Sequence, residues 1–257
     1  MADLKGTELM VQAEKKMKSV WPGSSKYEEA AELYDKAAAQ FKIAKDWEKA
    51  GEAYERAAEA SKKAKNDLEV TEFYSNAAQA YKKVNAGEAV RLYNIAVEMH
   101  IAQNRFSTAA KMLKTVGEIC EDEKDYSGAI EAYQKCADYY LAEDQSASAG
   151  QALVKVAHYA ALIEEYSRAI EILEQVAANS LDSSLTSWSC KDYYFKALLC
   201  HLGRVAKSLK GEGESKTFEE VADASEKYKG LYPMFEDARE SKFIDVWTSQ
   251  FHSYSFN

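Results

Sequence analysis

The sequence contains few of the residues that interrupt regular backbone structure, and it has no long apolar run. Among 257 residues there are 2 prolines and 11 glycines. No stretch approaches the roughly 18 consecutive apolar residues of a transmembrane helix. The amino-terminal segment alternates charged and apolar residues, unlike a secretory signal. These absences favour packed helices and predict a cytoplasmic protein that neither spans a membrane nor is secreted.

Motifs that carry catalysis or bind metals are also absent. The histidines lie far apart without an H-E-x-x-H pair, and neither a phosphate-binding glycine motif nor a G-x-S-x-G turn occurs. We therefore predict a protein that is not an enzyme and needs no cofactor or metal. The net charge of −9 argues against nucleic acid as a partner. No C-x-x-C pair occurs, so free thiols are expected at Cys120, Cys136, Cys190 and Cys200.

A pattern of small and aromatic residues recurs about every 40 residues. In each block an alanine precedes an aromatic residue or leucine by four positions, and a pair of small residues follows. The blocks begin at Trp47, Ala86, Tyr126 and Tyr166. Spacings of three and four place these residues on one helix face, where small side chains let a neighbouring helix approach closely. The pattern predicts an all-α solenoid of antiparallel helical hairpins, similar to tetratricopeptide repeats, whose function lies in a binding face.

The same periodicity predicts the helices and the division of the chain. Ten helices are expected at about 4–19, 27–44, 47–63, 68–84, 86–103, 106–122, 126–142, 146–162, 166–179 and 191–209. Two more are expected after a polar loop, at about 218–229 and 236–251. The repeat loosens after residue 180, which predicts a sheet of hairpins over 1–180 and a C-terminal helical bundle over 181–257 that caps it.

Two surface features allow more than one interpretation from the residues alone. The sequence Trp-Pro-Gly-Ser-Ser follows the first predicted helix and places Val20 and Trp21 in a loop. Because exposed tryptophan is uncommon, packing against the first hairpin is favoured, and contact with a membrane is the alternative. Several lysines lie near predicted helix ends, where an ordinary solvated face is the simplest interpretation.

Six short segments carry a resemblance to a known family. They are KYEEA at 26–30, FKIAKDW at 41–47, RFSTAAK at 105–111, ADYY at 137–140, KVAHYAAL at 155–162 and CKDYYFKA at 190–197. In these segments the chain resembles the alpha/beta type of soluble NSF attachment protein, the SNAP adaptors of vesicle fusion. The resemblance extends over about 13–242, and its ordered matches are more specific than a general tetratricopeptide signal.

The resemblance implies a twisted sheet of helical hairpins with a C-terminal bundle, and a role in vesicle-mediated transport. Such adaptors hold a four-helix SNARE bundle and recruit the hexameric ATPase NSF, which takes the bundle apart. In the family a basic stripe meets the acidic outside of the bundle, a tolerant and salt-dependent interaction. The sequence differs from the family at Gln151, a position where the animal members have a basic residue. The positions here that match the basic stripe are Lys45, Lys82, Lys83, Arg105, Lys111 and Lys155.

Two further departures concern the membrane and NSF contacts of the family. The first hairpin loop is shorter and lacks the paired phenylalanines of the family, so Val20 and Trp21 predict weaker membrane contact. The family continues beyond the point where this sequence ends, and it uses acids in its last helices to contact NSF. The carboxylates expected in that role here are Glu236, Asp237, Glu240 and Asp245. Because fewer acidic residues are available for the NSF contact, we expect a chain that binds SNAREs but stimulates NSF only weakly.

The resemblance also implies a chain that is monomeric alone, binds a SNARE bundle in several copies and associates peripherally with membranes. Two alternatives stay open. A tetratricopeptide co-chaperone for peptide tails requires a lysine and asparagine clamp and a period of about 34 residues, whereas the period here is nearer 40. A trafficking scaffold that does not activate NSF differs from the adaptor only in its last step.

Overall fold

The computed structural model describes residues 2–19, 24–181 and 189–209, which form α-helices joined by short turns. The helices are α1 Ala2–Met17, α2 Ser25–Ile43, α3 Trp47–Ala64, α4 Asp67–Tyr81, α5 Ala86–Ala102, α6 Phe106–Asp122, α7 Tyr126–Ala142, α8 Ser146–Leu162, α9 Tyr166–Leu181 and α10 Cys190–Leu209. From α1 to α7 each helix packs against the next one along the chain, and α9 packs against α10. The predicted all-α solenoid of antiparallel hairpins is confirmed.

The chain divides into two compact units, residues 1–152 and 153–257. The two helices predicted at about 218–229 and 236–251, and with them most of the C-terminal bundle, lie outside the described residues. The sequence-based division at residue 180 therefore stays a prediction.

Turns of nearly identical geometry set the period of the fold. A residue with a positive φ of 55–62° ends most of the helices, and none of these residues is a glycine. They are Lys45, Lys65, Asn104, Lys124, Asp144 and Glu164. The steps from 45 to 65, from 104 to 124, from 124 to 144 and from 144 to 164 are each 20 residues. One helix with its turn therefore takes 20 residues, and a hairpin takes the 40 residues of the sequence pattern.

The turn between α4 and α5 is built differently. Helix α4 ends at Tyr81, three residues before the expected end at Val84. The N–H groups of Lys83 and Val84 donate to the carbonyls of Ala80 and Tyr81 at 3.1 and 2.9 Å, which tightens the backbone into a turn. Lys82, Lys83 and Val84 carry no capping signal, so the sequence alone places this boundary too late.

The hairpins are held by aromatic rings that pack onto glycines of the partner helix. If Gly51 of α3 carried a Cβ, that atom would lie 2.6 Å from the ring of Tyr81 on α4. The same arrangement occurs within three other hairpins, where the nearest ring atom would lie 2.7–2.8 Å away. The close approach explains why a helix tolerates glycine at these positions, despite its low helix propensity. The three other pairs are Gly6 with Phe41, Gly117 with Tyr133, and Gly203 with Tyr166.

The cysteines are part of this packing. All four are buried and unpaired, which confirms the prediction of free thiols. Burial raises the pKa of the Cys136 thiol to about 11 and that of Cys200 to about 12. Both are neutral thiols at physiological pH, and they behave as small apolar side chains.

Replacing Gly51 with alanine is expected to lower the free energy of unfolding by about 1 to 2 kcal/mol, because the new methyl group displaces the Tyr81 ring. Urea denaturation followed by circular dichroism measures the change. The matched control is Gly87→Ala on α5, where the nearest atom to an added Cβ is 3.6 Å away. There the gain in helix propensity should raise stability by up to about 1 kcal/mol. Equal effects of the two substitutions would contradict the packing role of Gly51.

Candidate partner-binding surface

Three of the basic residues expected at the binding face lie at one edge of the first unit. Helices α2 and α4 both run antiparallel to α3, which lies between them, so their C-terminal ends share an edge. Lys45 lies in the turn after α2, and Lys82 and Lys83 lie in the turn after α4. Two exposed aliphatic side chains lie beside them, Ile43 at 69% and Val84 at 54% exposure. This edge therefore combines positive charge with small apolar contacts.

The remaining two basic residues of the first unit lie at and just after the start of α6, toward the edge opposite Lys45, Lys82 and Lys83, because α4, α5 and α6 alternate in direction. Arg105 precedes the first residue of α6, and Lys111 lies on its second turn; both side chains are exposed. The Lys82 ammonium lies 3.4 Å from the carboxylate of Glu118, near the end of α6. Since Glu118 follows Lys111 by seven residues, the two share a helix face. We call these five residues, Lys45, Lys82, Lys83, Arg105 and Lys111, the basic surface.

Not every cation of the basic surface is equally available to a partner. The Lys82 and Glu118 side chains are 30% and 43% exposed, and such a partly solvated pair contributes at most about 1 kcal/mol. A partner must nevertheless displace Glu118 to use the Lys82 charge. Lys45, Lys83, Arg105 and Lys111 form no ion pair with any other described residue, and all four side chains are exposed.

Arg105 occupies a position where an arginine is unfavourable for folding. It is the N-cap of α6, with φ −101° and ψ 58°, and its side chain makes no capping hydrogen bond. A guanidinium has no acceptor atom, and its charge lies at the positive end of the helix dipole. Such a violation of a local rule points to a binding role for the side chain. The N-caps of α3, α4, α5 and α7 do accept a hydrogen bond from a backbone N–H three residues on; they are Asp46, Asn66, Asn85 and Asp125.

A buried histidine supports the backbone at Arg105. The carbonyl of His100 accepts a hydrogen bond from the Arg105 N–H at 2.8 Å. The His100 side chain is 5% exposed, and its Nδ1 has no hydrogen-bond partner among the described residues. Burial, and next the charge of Arg105, lower the pKa of His100, so the imidazole is neutral at physiological pH. It therefore adds no charge to the basic surface.

The sixth expected residue, Lys155, lines a cavity of about 250 Å³ in the second unit. Side chains of α8, α9 and α10 line it, among them Lys155, His158, Leu173, Lys196 and Cys200. The Lys155 ammonium lies 5.9 Å from the ring centroid of Tyr159, and that of Lys196 lies 6.0 Å from the ring of Tyr193. The basic-stripe prediction did not include Lys196 or His158. Lys196 lies in the segment 190–197, one of the segments that carry the family resemblance, and this was the sequence signal for it.

The other expected contact residues lie outside the described residues. These are Val20 and Trp21 of the first loop, and Glu236, Asp237, Glu240 and Asp245. Within the described ranges, no helix has both the length and the apolar character to cross a bilayer, and no group of three or more metal-ligating side chains comes together.

Known proteins resemble this chain over nearly its whole length. The profile of the family described as "Soluble NSF attachment protein, SNAP" matches residues 4–252. The "Alpha-soluble NSF attachment protein" of Dictyostelium discoideum is 40% identical over 249 residues, which cover 95% of this chain and 82% of that protein. The "Beta-soluble NSF attachment protein" of Bos taurus is 38% identical over 245 residues, 92% and 78% of the two chains. The "Probable vesicular-fusion protein sec17 homolog" of Schizosaccharomyces pombe is 35% identical over 201 residues, 76% and 70% of the two chains.

Replacing Arg105 with asparagine is expected to raise the free energy of unfolding by about 1 kcal/mol. The new side chain can accept the Thr108 N–H, which at present donates to the Arg105 carbonyl at 3.1 Å, and the unfavourable charge at the helix N-terminus is removed. Urea denaturation measures the gain. As a control, Asn85→Ala removes an existing cap from α5 and should lower stability by a similar amount. An Arg105→Asn variant no more stable than the parent chain would show that the arginine does not strain the helix start.

Proposed function

The chain belongs to the soluble NSF attachment protein family, which confirms the resemblance seen in its sequence, and we propose that it acts as a non-enzymatic adaptor for NSF. In this role it binds assembled SNARE bundles and recruits the ATPase that takes them apart during vesicle transport. The observation that carries the proposal is the family match over residues 4–252. The match favours the adaptor over the alternative of a peptide-binding co-chaperone.

The basic surface gives the adaptor a physical means of gripping an acidic coiled coil. Lys83, Arg105 and Lys111 present exposed positive charge in a chain whose net charge is −9. Complementary charge tolerates differences in sequence among bundles, because it requires the sign of the partner's surface and no particular side chain. The interaction should weaken with salt, since the Debye length falls to about 8 Å at physiological ionic strength. Lys155 of the second unit is proposed to contribute a further positive contact.

The hairpins also suit a protein that passes force from an ATPase to its substrate. Helices joined by short turns and held by ring-on-glycine contacts yield little under load, because close-packed interiors have low compressibility. The chain itself consumes no ATP in this proposal. We place the NSF contact at the C-terminal carboxylates Glu236, Asp237, Glu240 and Asp245. Several copies would surround one bundle and act together.

Membrane contact is proposed to be peripheral and weak. Val20 and Trp21 are the apolar residues of the first loop, and tryptophan favours the interface between lipid and water. Two apolar side chains supply little binding energy on their own. The chain is therefore proposed to be cytoplasmic and to reach the membrane mainly through the SNARE bundle that it holds.

Reversing three charges of the basic surface together, Lys83→Glu, Arg105→Glu and Lys111→Glu, is expected to weaken binding to an assembled SNARE complex by about tenfold or more. The loss should be greatest at low salt, where screening is least. A pull-down at two salt concentrations measures it. The matched control reverses Lys62, Lys63 and Lys65, three exposed lysines around the turn between α3 and α4. Normal binding by the first triple variant would refute the basic-surface mechanism.

Adding NSF and then ATP to the bound complex tests the second half of the proposal. We expect the SNARE complex to come apart, and gel filtration follows its disassembly. Binding without disassembly would identify a scaffold that holds SNAREs without driving NSF. A parent chain that fails to bind the SNARE complex would overturn the adaptor function itself.

A further inference from the structure

Resting on the proposed adaptor function, we propose that one edge of the first unit docks on a membrane surface of anionic lipids. The edge lies where α1 and α3 end, and it presents five exposed lysines together with an exposed leucine. We call it the lysine edge. Its members are Lys15, Lys18, Lys62, Lys63, Lys65 and Leu68. The ligand is the layer of anionic headgroups as a whole, which these side chains meet from the aqueous side.

The topology of the first unit brings the lysines to one edge. Helices α1 and α3 both run antiparallel to α2, which packs against each of them, so the C-terminal ends of α1 and α3 share an edge. Lys15 and Lys18 lie at the end of α1, and Lys62, Lys63 and Lys65 lie at the end of α3. Positive charge from two helix ends is thereby collected on one side of the unit.

The ammonium groups of this edge are not used within the chain. The five lysine side chains form no ion pair or hydrogen bond with any other described residue. The opposite edge differs, because there the Lys49 ammonium lies 2.9 Å from Asp3 and 2.9 Å from Asp46. The charges of the lysine edge are therefore available to a partner outside the chain.

The acidic residues in the same helix turns only partly offset the lysines. Glu14 and Glu69 are half-buried, and the carboxylate of Glu69 accepts a hydrogen bond from the Ser61 hydroxyl at 2.9 Å. Glu28 and Asp67 are exposed. The exposed charge of the edge is thus positive, although the whole chain carries −9. Because charges beyond about 8 Å are screened at physiological ionic strength, this local excess decides the contact with an anionic surface.

The turn between α3 and α4 holds the charge beside an exposed apolar side chain. The Asn66 N–H donates to the carbonyl of Ser61 at 3.0 Å. The N–H of Lys65, which has a φ of 61°, donates to the carbonyl of Lys62 at 3.1 Å, and the two bonds fix the turn. Leu68 follows on the first turn of α4 and is 66% exposed. Attraction of basic residues together with insertion of an apolar side chain is how a protein binds the interface between lipid and water.

The residue types favour a membrane over an acidic protein as the partner. Lysine is a flexible point charge and lacks the fixed fork geometry of arginine. A fluid layer of headgroups can meet each ammonium where it lies, whereas a folded acidic protein must match the spacing of charges on two separate helix ends. The contact is weak by itself. It adds to the grip on a SNARE bundle, because the second contact of a chain that is already held is intramolecular.

Neutralising the turn between α3 and α4 in the full chain, Lys62→Gln, Lys63→Gln and Lys65→Gln together, tests the proposal. Cosedimentation at low salt with vesicles of phosphatidylserine and phosphatidylcholine in equal parts measures binding. The variant should bind about tenfold more weakly than the parent chain or worse, because each lysine near an anionic surface adds to the attraction. The parent chain should bind vesicles of phosphatidylcholine alone much more weakly. A parent chain that does not prefer the anionic vesicles would refute the lysine edge.

The matched control neutralises three lysines at the opposite edge, Lys45→Gln, Lys82→Gln and Lys83→Gln. It removes the same charge, and Lys45 has a positive φ like that of Lys65. This variant should bind the anionic vesicles like the parent chain, and circular dichroism checks that both variants are folded. Equal losses in the two variants would show a general effect of charge and would overturn the assignment to the lysine edge.

Binding to a soluble assembled SNARE complex, without vesicles, separates the lysine edge from the adaptor function. The Lys62, Lys63 and Lys65 variant should bind that complex like the parent chain. If it binds the complex weakly, the lysines contact the bundle, and the membrane proposal is overturned while the adaptor function stands. If the parent chain binds anionic vesicles but not the complex, the adaptor function fails and the lipid contact of the edge stands.

Discussion

The packing of an aromatic ring onto a glycine of the neighbouring helix is the constraint on which the hairpins depend. At Gly51 and Gly117 the facing tyrosine ring lies where a Cβ would otherwise be, so the ring packs directly on the backbone of the neighbouring helix. These contacts determine how the two helices of a hairpin lie against each other. The turns carry Lys45, Lys83 and Arg105, so the positions of these charges follow from contacts in the core.

Several residues at the turns lower the free energy of unfolding relative to the residues that these positions favour. Six helix ends use a non-glycine residue at positive φ, although glycine adopts that conformation without strain. Arg105 adds a cation at the start of α6, where aspartate or asparagine would cap the helix. Each departure lowers stability by an amount of order 1 kcal/mol, which a solenoid with many packed hairpins can tolerate. The alanine-rich core thus tolerates turn residues that are less favourable than glycine or a capping side chain.

The sequence predicted most of the fold because its local signals agree. The bounds of α6, α7 and α8 match the expected ones residue for residue, since small-residue spacing marks their faces and polar turns mark their ends. The end of α4 was placed too late because lysine and valine do not signal a turn. The residues of the basic surface were predicted from the family resemblance. The ion pair between Lys82 and Glu118 could not be predicted, because the two residues lie on different helices and local spacing does not relate them. Nor could it show that Lys155 and Lys196, 41 residues apart, line one cavity.

A chain with a net charge of −9 can bind an acidic bundle only if local contacts outweigh the overall repulsion. Screening makes this possible, because at physiological ionic strength charges more than about 8 Å apart interact weakly. The same screening limits what exposed lysines contribute, since a solvated ion pair is worth about 0 to 1 kcal/mol. A few such pairs orient the partner and tolerate variation in its sequence, but they give little affinity. Tighter binding requires a contact from which water is excluded.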